Sequence, residues 1–190
     1  MSRWQPDARE RLEQAALDLF AENGFAETTV PQIAERAGLT NRTFFRYFHD
    51  KREVLFSVDD GFPAGIAQIM RTAPETDDVW TLLSYGARTA AETFFPGRRD
   101  YFGHRRAIIA ADPSLREREL GKQADLTAAI RDGLLTAGIG ERESTLAAHV
   151  CAVVMHDAIG QWVDDDLDRP LTHFVTQNLE TVRHIVGSTA

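Results

Sequence analysis

With 190 residues the chain is long enough for a proper hydrophobic core, and its single cysteine, Cys151, excludes an intrachain disulfide. A formal net charge of -8 excludes a uniformly basic nucleic-acid binder, but the charge is uneven: residues 1 to 56 hold eight basic and nine acidic side chains, against thirteen and twenty in the remainder. The charged amino terminus lacks the apolar run of a leader and no stretch approaches the ~20 apolar residues of a membrane span, so a cytoplasmic protein with no membrane partner is expected.

Apolar residues recur with helical period almost throughout, and no alternating run bounded by turn residues predicts a strand. The first helix is predicted over residues 7–23, with Leu12, Ala15, Ala16, Leu19 and Phe20 on one face and Gly24 ending it. Thr29 is the natural N-cap of a second helix over 30–37, which turns Ile33 and Ala34 inward. A third helix starts at Thr40. A fourth starts at Asp50 and is interrupted at Gly61 and Pro63, because proline lacks a backbone donor and disfavours helix in the residue before it. Further helices are expected near 63–72, 77–95, 98–110, 113–137, 142–164 and 171–187, separated at Pro74, Pro96, Asp112 with Pro113, Gly138 with Gly140, and Pro170. The fold class is therefore all-α, with about nine helices in two domains, 1–50 and 51–190.

Residues 32–51, QIAERAGLTNRTFFRYFHDK, combine a polar tetrad with an aromatic run. Two short helices joined by a tight turn at Gly38 make a helix-turn-helix, with Ala34 small at the crossing and Leu39 and Phe44 closing the core. Phe44 and Phe48, four apart, share the buried face, which leaves Thr40, Asn41, Arg42, Thr43, Phe45 and Arg46 outside. Those side chains suit base edges in a major groove: Arg pairs with guanine, Asn with adenine, and an exposed Phe meets a thymine methyl. Thr29, Tyr47 and Lys51 suit phosphates, which position a protein without reading sequence. Lys51 is one of two lysines among twenty-one basic residues.

Other patterns carry less chemistry. Asp164, Asp166 and Asp168 imitate the start of a calcium loop, but Arg169 stands where glycine is needed and Val175 where the closing Glu belongs. His149 and His156 lie two helical turns apart, about 10 Å, too far to share a metal without other ligands. The run RRDYFGHRR, residues 98–106, reads as a solvated charged face with a lesser prospect of holding an anion. No nucleophile with a base, no paired carboxylates and no metal set stand at catalytic spacing, so no catalytic residue, metal or cofactor is predicted.

The stretch TTVPQIAERAGLTNRTFFRYFHDKREVLF, residues 28–56, together with the preceding AENGF, resembles the DNA-binding domain of the TetR family of one-component transcriptional regulators. The resemblance implies Thr29 and Lys51 on phosphates, the helix from Thr40 to Tyr47 in the groove, and an all-helical ligand-binding and dimerisation domain after it. Phe45 departs from the tyrosine common in the family, which removes a hydroxyl contact. The expectation is a homodimeric, ligand-responsive repressor on palindromic double-stranded DNA. A purely architectural DNA binder leaves some 130 helical residues unexplained, and a helical enzyme lacks a catalytic set.

Residues 146–155, LAAHVCAVVM, are apolar nearly all round, as in a helix buried on more than one side. With the last helix they predict a four-helix interface between two copies, through Leu146, Val150, Val153, Val154, Leu171, Val175, Leu179 and Val182. The candidate effector pocket comprises Phe62, Ile66, Met70, Trp80, Leu83, Phe94, Phe95, Tyr101, Phe102, Met155, His156 and Trp162. Their abundance points to an apolar or aromatic small molecule.

Overall fold

A computed structural model describes residues 7–57 and 59–187; the first six residues of the amino terminus read above lie outside that range. Ten α-helices and one short 3-10 turn occupy the described residues, with no strand among them. The chain groups into two compact units, Met1–Asp60 with His104–Leu120, and Gly61–Gly103 with Gly121–Ala190. This grouping does not follow the 50/51 division expected from sequence.

In the first unit, helix α1 (Ala8–Asn23) starts where the Asp7 carboxylate accepts the N–H groups of Arg9 (2.8 Å) and Glu10 (3.0 Å), two donors that have no partner within the helix. It ends at Gly24, whose φ of 82° a side chain would resist. Leu12, Ala15, Ala16, Leu19 and Phe20 are buried as the periodicity predicts. Helix α2 (Val30–Arg36) and helix α3 (Asn41–Tyr47) follow, capped by Thr29 and Thr40. Asp50 accepts from the N–H groups of Arg52 (2.7 Å) and Glu53 (3.1 Å), so it caps helix α4 (Glu53–Phe56) two residues later than expected. The break expected at Gly61 and Pro63 is present but starts earlier: α4 ends at Phe56, a 3-10 turn covers Asp59–Gly61, and α5 (Phe62–Arg71) follows with Pro63 in its first turn, where proline's missing N–H is harmless.

The second unit holds α5, α6 (Val79–Phe94), α9 (Glu141–Val163) and α10 (Leu171–Gly187), while α7 (Arg99–Ala111) and α8 (Pro113–Thr136) contribute to both units. Its core is aromatic. Phe62 lies 5.0 Å from Phe94 between ring centres, Phe95 lies 4.8 Å from Phe102, and Trp162 meets Phe95 edge-on at 6.1 Å. Gly65 lets α5 approach α6, because a Cβ there would stand 2.3 Å from the Phe94 ring.

Helix α9 is long and apolar enough, by length and composition, to cross a membrane, which the sequence reading did not anticipate. Its burial follows a stripe instead: Ser144, Ala147, Ala148, Cys151, Val154, Ala158 and Trp162 face the chain's own core. On α10 the same core takes Leu171, Phe174, Val175 and Leu179. Four residues of the expected dimer interface, Val154, Leu171, Val175 and Leu179, are thus buried inside the chain and offer nothing to a second copy.

The charged run 98–106 is not uniformly solvated. Arg105, 7% exposed, donates to the Leu55 carbonyl (2.8 Å) and to Glu119 (2.6 and 3.3 Å), and lies 5.0 Å over the Phe56 ring. Helical register shows why: Phe102, Arg105, Ile108 and Ile109 share a face, and all four are buried.

Candidate nucleic-acid interface

The turn between α2 and α3 is built for tightness. Gly38 adopts φ 65°, its N–H bonds the Glu35 carbonyl (2.9 Å), and the Leu39 N–H reaches the Ala34 carbonyl (2.8 Å), which together close a Schellman-type helix end. Arg11 of α1 donates to the Ala37 carbonyl in the same turn. A Cβ on Gly38 would meet only that mobile guanidinium, so it is the backbone angle that calls for glycine.

On α3 the aromatic run divides as its spacing requires. Phe44 is fully buried and packs on Phe48 (5.4 Å), whereas Phe45, next in sequence, is 59% exposed and touches Phe44 edge-on (5.5 Å). Burying a ring such as Phe44 stabilises by about 1.5–3 kcal/mol, which fixes the rotation of this seven-residue helix. Asn41, Arg42 and Arg46 are exposed beside Phe45. Arg46 donates to the Tyr47 hydroxyl (2.9 Å) and stacks on its ring (4.7 Å), which holds the guanidinium along the helix. Thr40 caps through the Thr43 N–H (3.2 Å) and shares a hydrogen bond with the Thr43 hydroxyl (3.0 Å). The arrangement presents two guanidiniums, an amide and an apolar ring on one outward face.

The expected phosphate contacts are placed differently. The Thr29 hydroxyl belongs to a capping box, donating to Gln32 Oε1 (2.8 Å) while it caps the Gln32 N–H. Lys51 points to backbone: its Nζ donates to the carbonyls of Phe25 (2.6 Å), Ala26 (3.0 Å) and Thr28 (2.8 Å), and lies 4.4 Å from the centre of the Phe25 ring. In this arrangement its three N–H donors are taken by main-chain carbonyls, which makes Lys51 a clamp on the loop before α2. No pattern in one sequence marks a lysine whose partners are main-chain carbonyls. Tyr47 remains at the surface.

In the second unit the candidate effector residues separate into groups. Phe62, Phe94, Phe95, Phe102 and Trp162 pack against one another, Tyr101 sits edge-on to Phe102 (5.4 Å), and Ile66 and Leu83 are buried. Trp80 has Arg183 over its ring at 6.0 Å, His156 Nδ1 lies 3.3 Å from Gln123 Nε2, and Met155 is half-buried. Of the expected set Met70 alone lines a cleft of about 610 Å³. Its apolar walls are small: Pro63, Ala67, Ala73, Pro74, Ala129, Gly133 and Ala137, with Leu82. Arg71, Glu75, Thr76, Asp132 and Thr136 are its polar members. Met70 owes its position to a missing side chain: a Cβ on Gly133 would stand 2.7 Å from Met70 Cγ. The small residues that line this cleft are interspersed in sequence with large ones, Ile66 and Ile69 in one stretch and Ile130 and Leu134 in the other, so helical periodicity does not single it out.

On α9, Leu146 and Val153 are 61% and 66% exposed, on the side away from the core stripe; Val150 and Val182 are half-buried, and Ile185 and Val186 add exposed apolar surface on α10. Cys151 is buried, and burial pushes its thiol up to about 12. Among the described residues no group of His, Cys, Asp and Glu is arranged to hold a metal.

The sequence profile of bacterial regulatory proteins, tetR family, matches residues 13–58, the segment that contains this helix-turn-helix. The transcriptional regulator TcmR of Streptomyces glaucescens is 42% identical over 62 residues, 30% of this chain and 27% of that protein. The chain spans less than half the length of the first relatives it matches. The transcriptional repressor AcnR of Corynebacterium diphtheriae is 24% identical over 182 residues, 94% of this chain and 88% of that protein. Among solved structures, a putative TetR-family regulator from Syntrophomonas wolfei aligns with TM-score 0.68 at 16% identity, covering 97% of both chains. The FadR repressor of Thermus thermophilus, solved with lauroyl-CoA, aligns with TM-score 0.54 at 20% identity over 96% of this chain and 95% of that one. The helix-turn-helix segment, residues 13–58, thus matches the tetR family of bacterial regulatory proteins, and nearly the whole chain shares its all-helical fold with a solved regulator of that family.

Proposed function

We propose that the protein is a homodimeric transcriptional repressor that reads a palindromic operator with α3 and is released by a small apolar molecule. The observation that carries this reading is the outward face of Asn41, Arg42, Phe45 and Arg46, held in register by buried Phe44 and Phe48. Arg42 and Arg46 suit guanine, Asn41 suits adenine, and the Phe45 ring suits a thymine methyl, each good bidentate pair discriminating by about 1–3 kcal/mol. Thr40, Thr43 and Tyr47 flank that face and suit phosphate oxygens. Two copies joined through Leu146 and Val153 of α9 would set two reading helices about one turn of DNA, ~34 Å, apart or at a near multiple. Such a regulator works where the chromosome is, in the cytoplasm.

The effector reading rests on the cleft beside Met70 and on the aromatic core of the same unit, which suit an apolar or aromatic ligand. The FadR complex with lauroyl-CoA supports it, since a protein of the same fold holds an amphiphile with a long apolar chain. Coupling of ~1 to 3 kcal/mol, about five- to 150-fold, is usual for such switches, and operator DNA must weaken effector binding by the same factor.

Binding to the chain's own promoter DNA and to a scrambled duplex of equal length tests the reading. Specific binding at a palindrome is expected, with base preference relaxed at one position in Arg42→Ala and affinity for that site down by about 1–3 kcal/mol. Equal affinity of the unaltered protein for both duplexes would overturn it and favour an architectural role.

A further inference from the structure

The loop that joins α1 to α2, residues 24–29, has few backbone hydrogen bonds of its own. The Gly24 N–H still belongs to α1, bonding the Phe20 carbonyl (3.0 Å), and the Thr29 N–H is taken by Gln32 Oε1 (2.8 Å). Two side chains take the carbonyls. Buried Thr28 donates its hydroxyl to the carbonyls of Leu19 (3.1 Å) and Gly24 (2.8 Å). Lys51, arriving from the turn after α3, takes those of Phe25, Ala26 and Thr28 and sits over the Phe25 ring, which itself packs on Phe20 (5.1 Å).

Three carbonyl oxygens at 2.6 to 3.0 Å and an aromatic face form a site for a compact monovalent cation. The chain fills that site with its own ammonium. Lysine suits the geometry and arginine does not, because three convergent acceptors match a tetrahedral ammonium rather than a planar fork. This accounts for a lysine in a chain whose other basic residues, save Lys122, are arginine.

We propose that Lys51 is a positioning residue for operator binding: its ammonium fixes the α1–α2 loop, and through Thr29 the start of α2, so that α3 is presented in one orientation, with no phosphate contact by Lys51 itself. The two roles differ in their dependence on salt. A lysine that neutralises a phosphate releases a counterion, and its loss flattens the slope of log affinity against log salt by about 0.9. A lysine that holds the loop leaves the slope unchanged when removed, and lowers affinity because an ordering step is added to binding. The proposal rests on the DNA-binding reading for its functional half only. The clamp itself is open to test without DNA.

The experiment compares the full-length protein with Lys51→Ala and Lys51→Met. Without DNA, both variants should melt at least about 3 °C lower, since charge-assisted hydrogen bonds are lost and the methionine stem cannot replace them. Propylammonium chloride, which supplies the atoms that Lys51→Ala lacks, should restore part of that shift, whereas sodium or tetramethylammonium chloride at equal ionic strength should not. With operator DNA, well below the melting temperature, the ratio of specific to scrambled-duplex affinity should fall about tenfold in both variants, with the salt slope unchanged and with partial recovery in propylammonium. Unchanged melting temperatures, or a slope flatter by about 0.9, would overturn the proposal and return Lys51 to the phosphates. Should the unaltered protein show no specific binding, the operator reading fails while the melting and rescue data still decide the clamp.

Discussion

The two compact units solve the problem of irregular backbone in opposite ways. In the first, cationic side chains and hydroxyls hold carbonyls that helices and turns leave open: Lys51 takes three, Arg11 takes that of Ala37, Arg105 takes that of Leu55, and Thr28 takes two. Such bonds are directional, and a seven-residue reading helix held among them has little freedom to turn. In the second, close approach is made by removing atoms, at Gly65 against Phe94 and at Gly133 against Met70. Contacts between rings and a thioether are weakly directional, so that region adapts where the first resists. The proposed function, a reader of fixed geometry joined to a receiver of variable ligands, would call for these two kinds of packing respectively.

The largest effect is expected where the second unit leaves apolar surface outward. Val153→Arg puts a charge on an exposed position of α9, so the protomer should stay folded while sedimentation shows a monomer. Affinity for a full palindrome should drop about 10²- to 10⁴-fold as the benefit of linked half-sites is lost. A variant that still sediments as a dimer would move the interface off α9 and leave Leu146 and Val153 without a role.

A smaller loss should follow from unpinning the first unit. Arg105→Met keeps the apolar stem but takes the guanidinium from half-buried Glu119, which should destabilise by roughly 2–4 kcal/mol in denaturant titrations. If urea midpoints barely move, the contrast between pinned and packed regions is wrong in its first half. For the second half, Gly133→Leu should displace Met70 and fill the cleft. Operator release by an active effector should then fade by most of the ~1–3 kcal/mol coupling while affinity without effector holds. Full retention of release would place the effector elsewhere.

How much of this was legible in the residues follows from the same contrast. Phe44 inward and Phe45 outward can be read by counting to four, since helical period is a local property, and Gly38 announces its turn by type. Burial of Arg105 was open to the same arithmetic, because it shares a face with Phe102 and Ile109, but it was masked by the charged run around it. The partners of Lys51 lie 23 to 26 positions away and are main-chain oxygens, which carry no side-chain identity. On α9, an all-round apolar composition left open which stripe faces the core. Only tertiary packing chose Val154 for the inside and Val153 for the outside.

The smallest effect sharpens the comparison by an exception. The second unit too has a pinned loop, where Asp165 accepts the Arg169 N–H (2.9 Å) and its guanidinium (3.0 Å), which holds the carboxyl down to about 2. Because the folded value lies below the unfolded one, near 4, this contribution is complete above about pH 4 and disappears as pH falls through about 2. Asp165→Asn and the unaltered protein should therefore differ in urea midpoint at pH 6 and converge toward pH 2. A constant difference across that range would assign the effect to shape rather than charge.

Burial of Cys151 has a consequence for the kind of message the protein can receive. Oxidants and electrophiles act on thiolate, and with the thiol pushed up to about 12, only about one molecule in 10⁵ carries one at pH 7. The chain's single sulfhydryl is therefore deaf to peroxide, to disulfide exchange and to alkylating metabolites while the protein is folded. Under the proposed reading the signal is then occupancy, reversible at the rate at which a ligand leaves, with no enzyme needed to reset it.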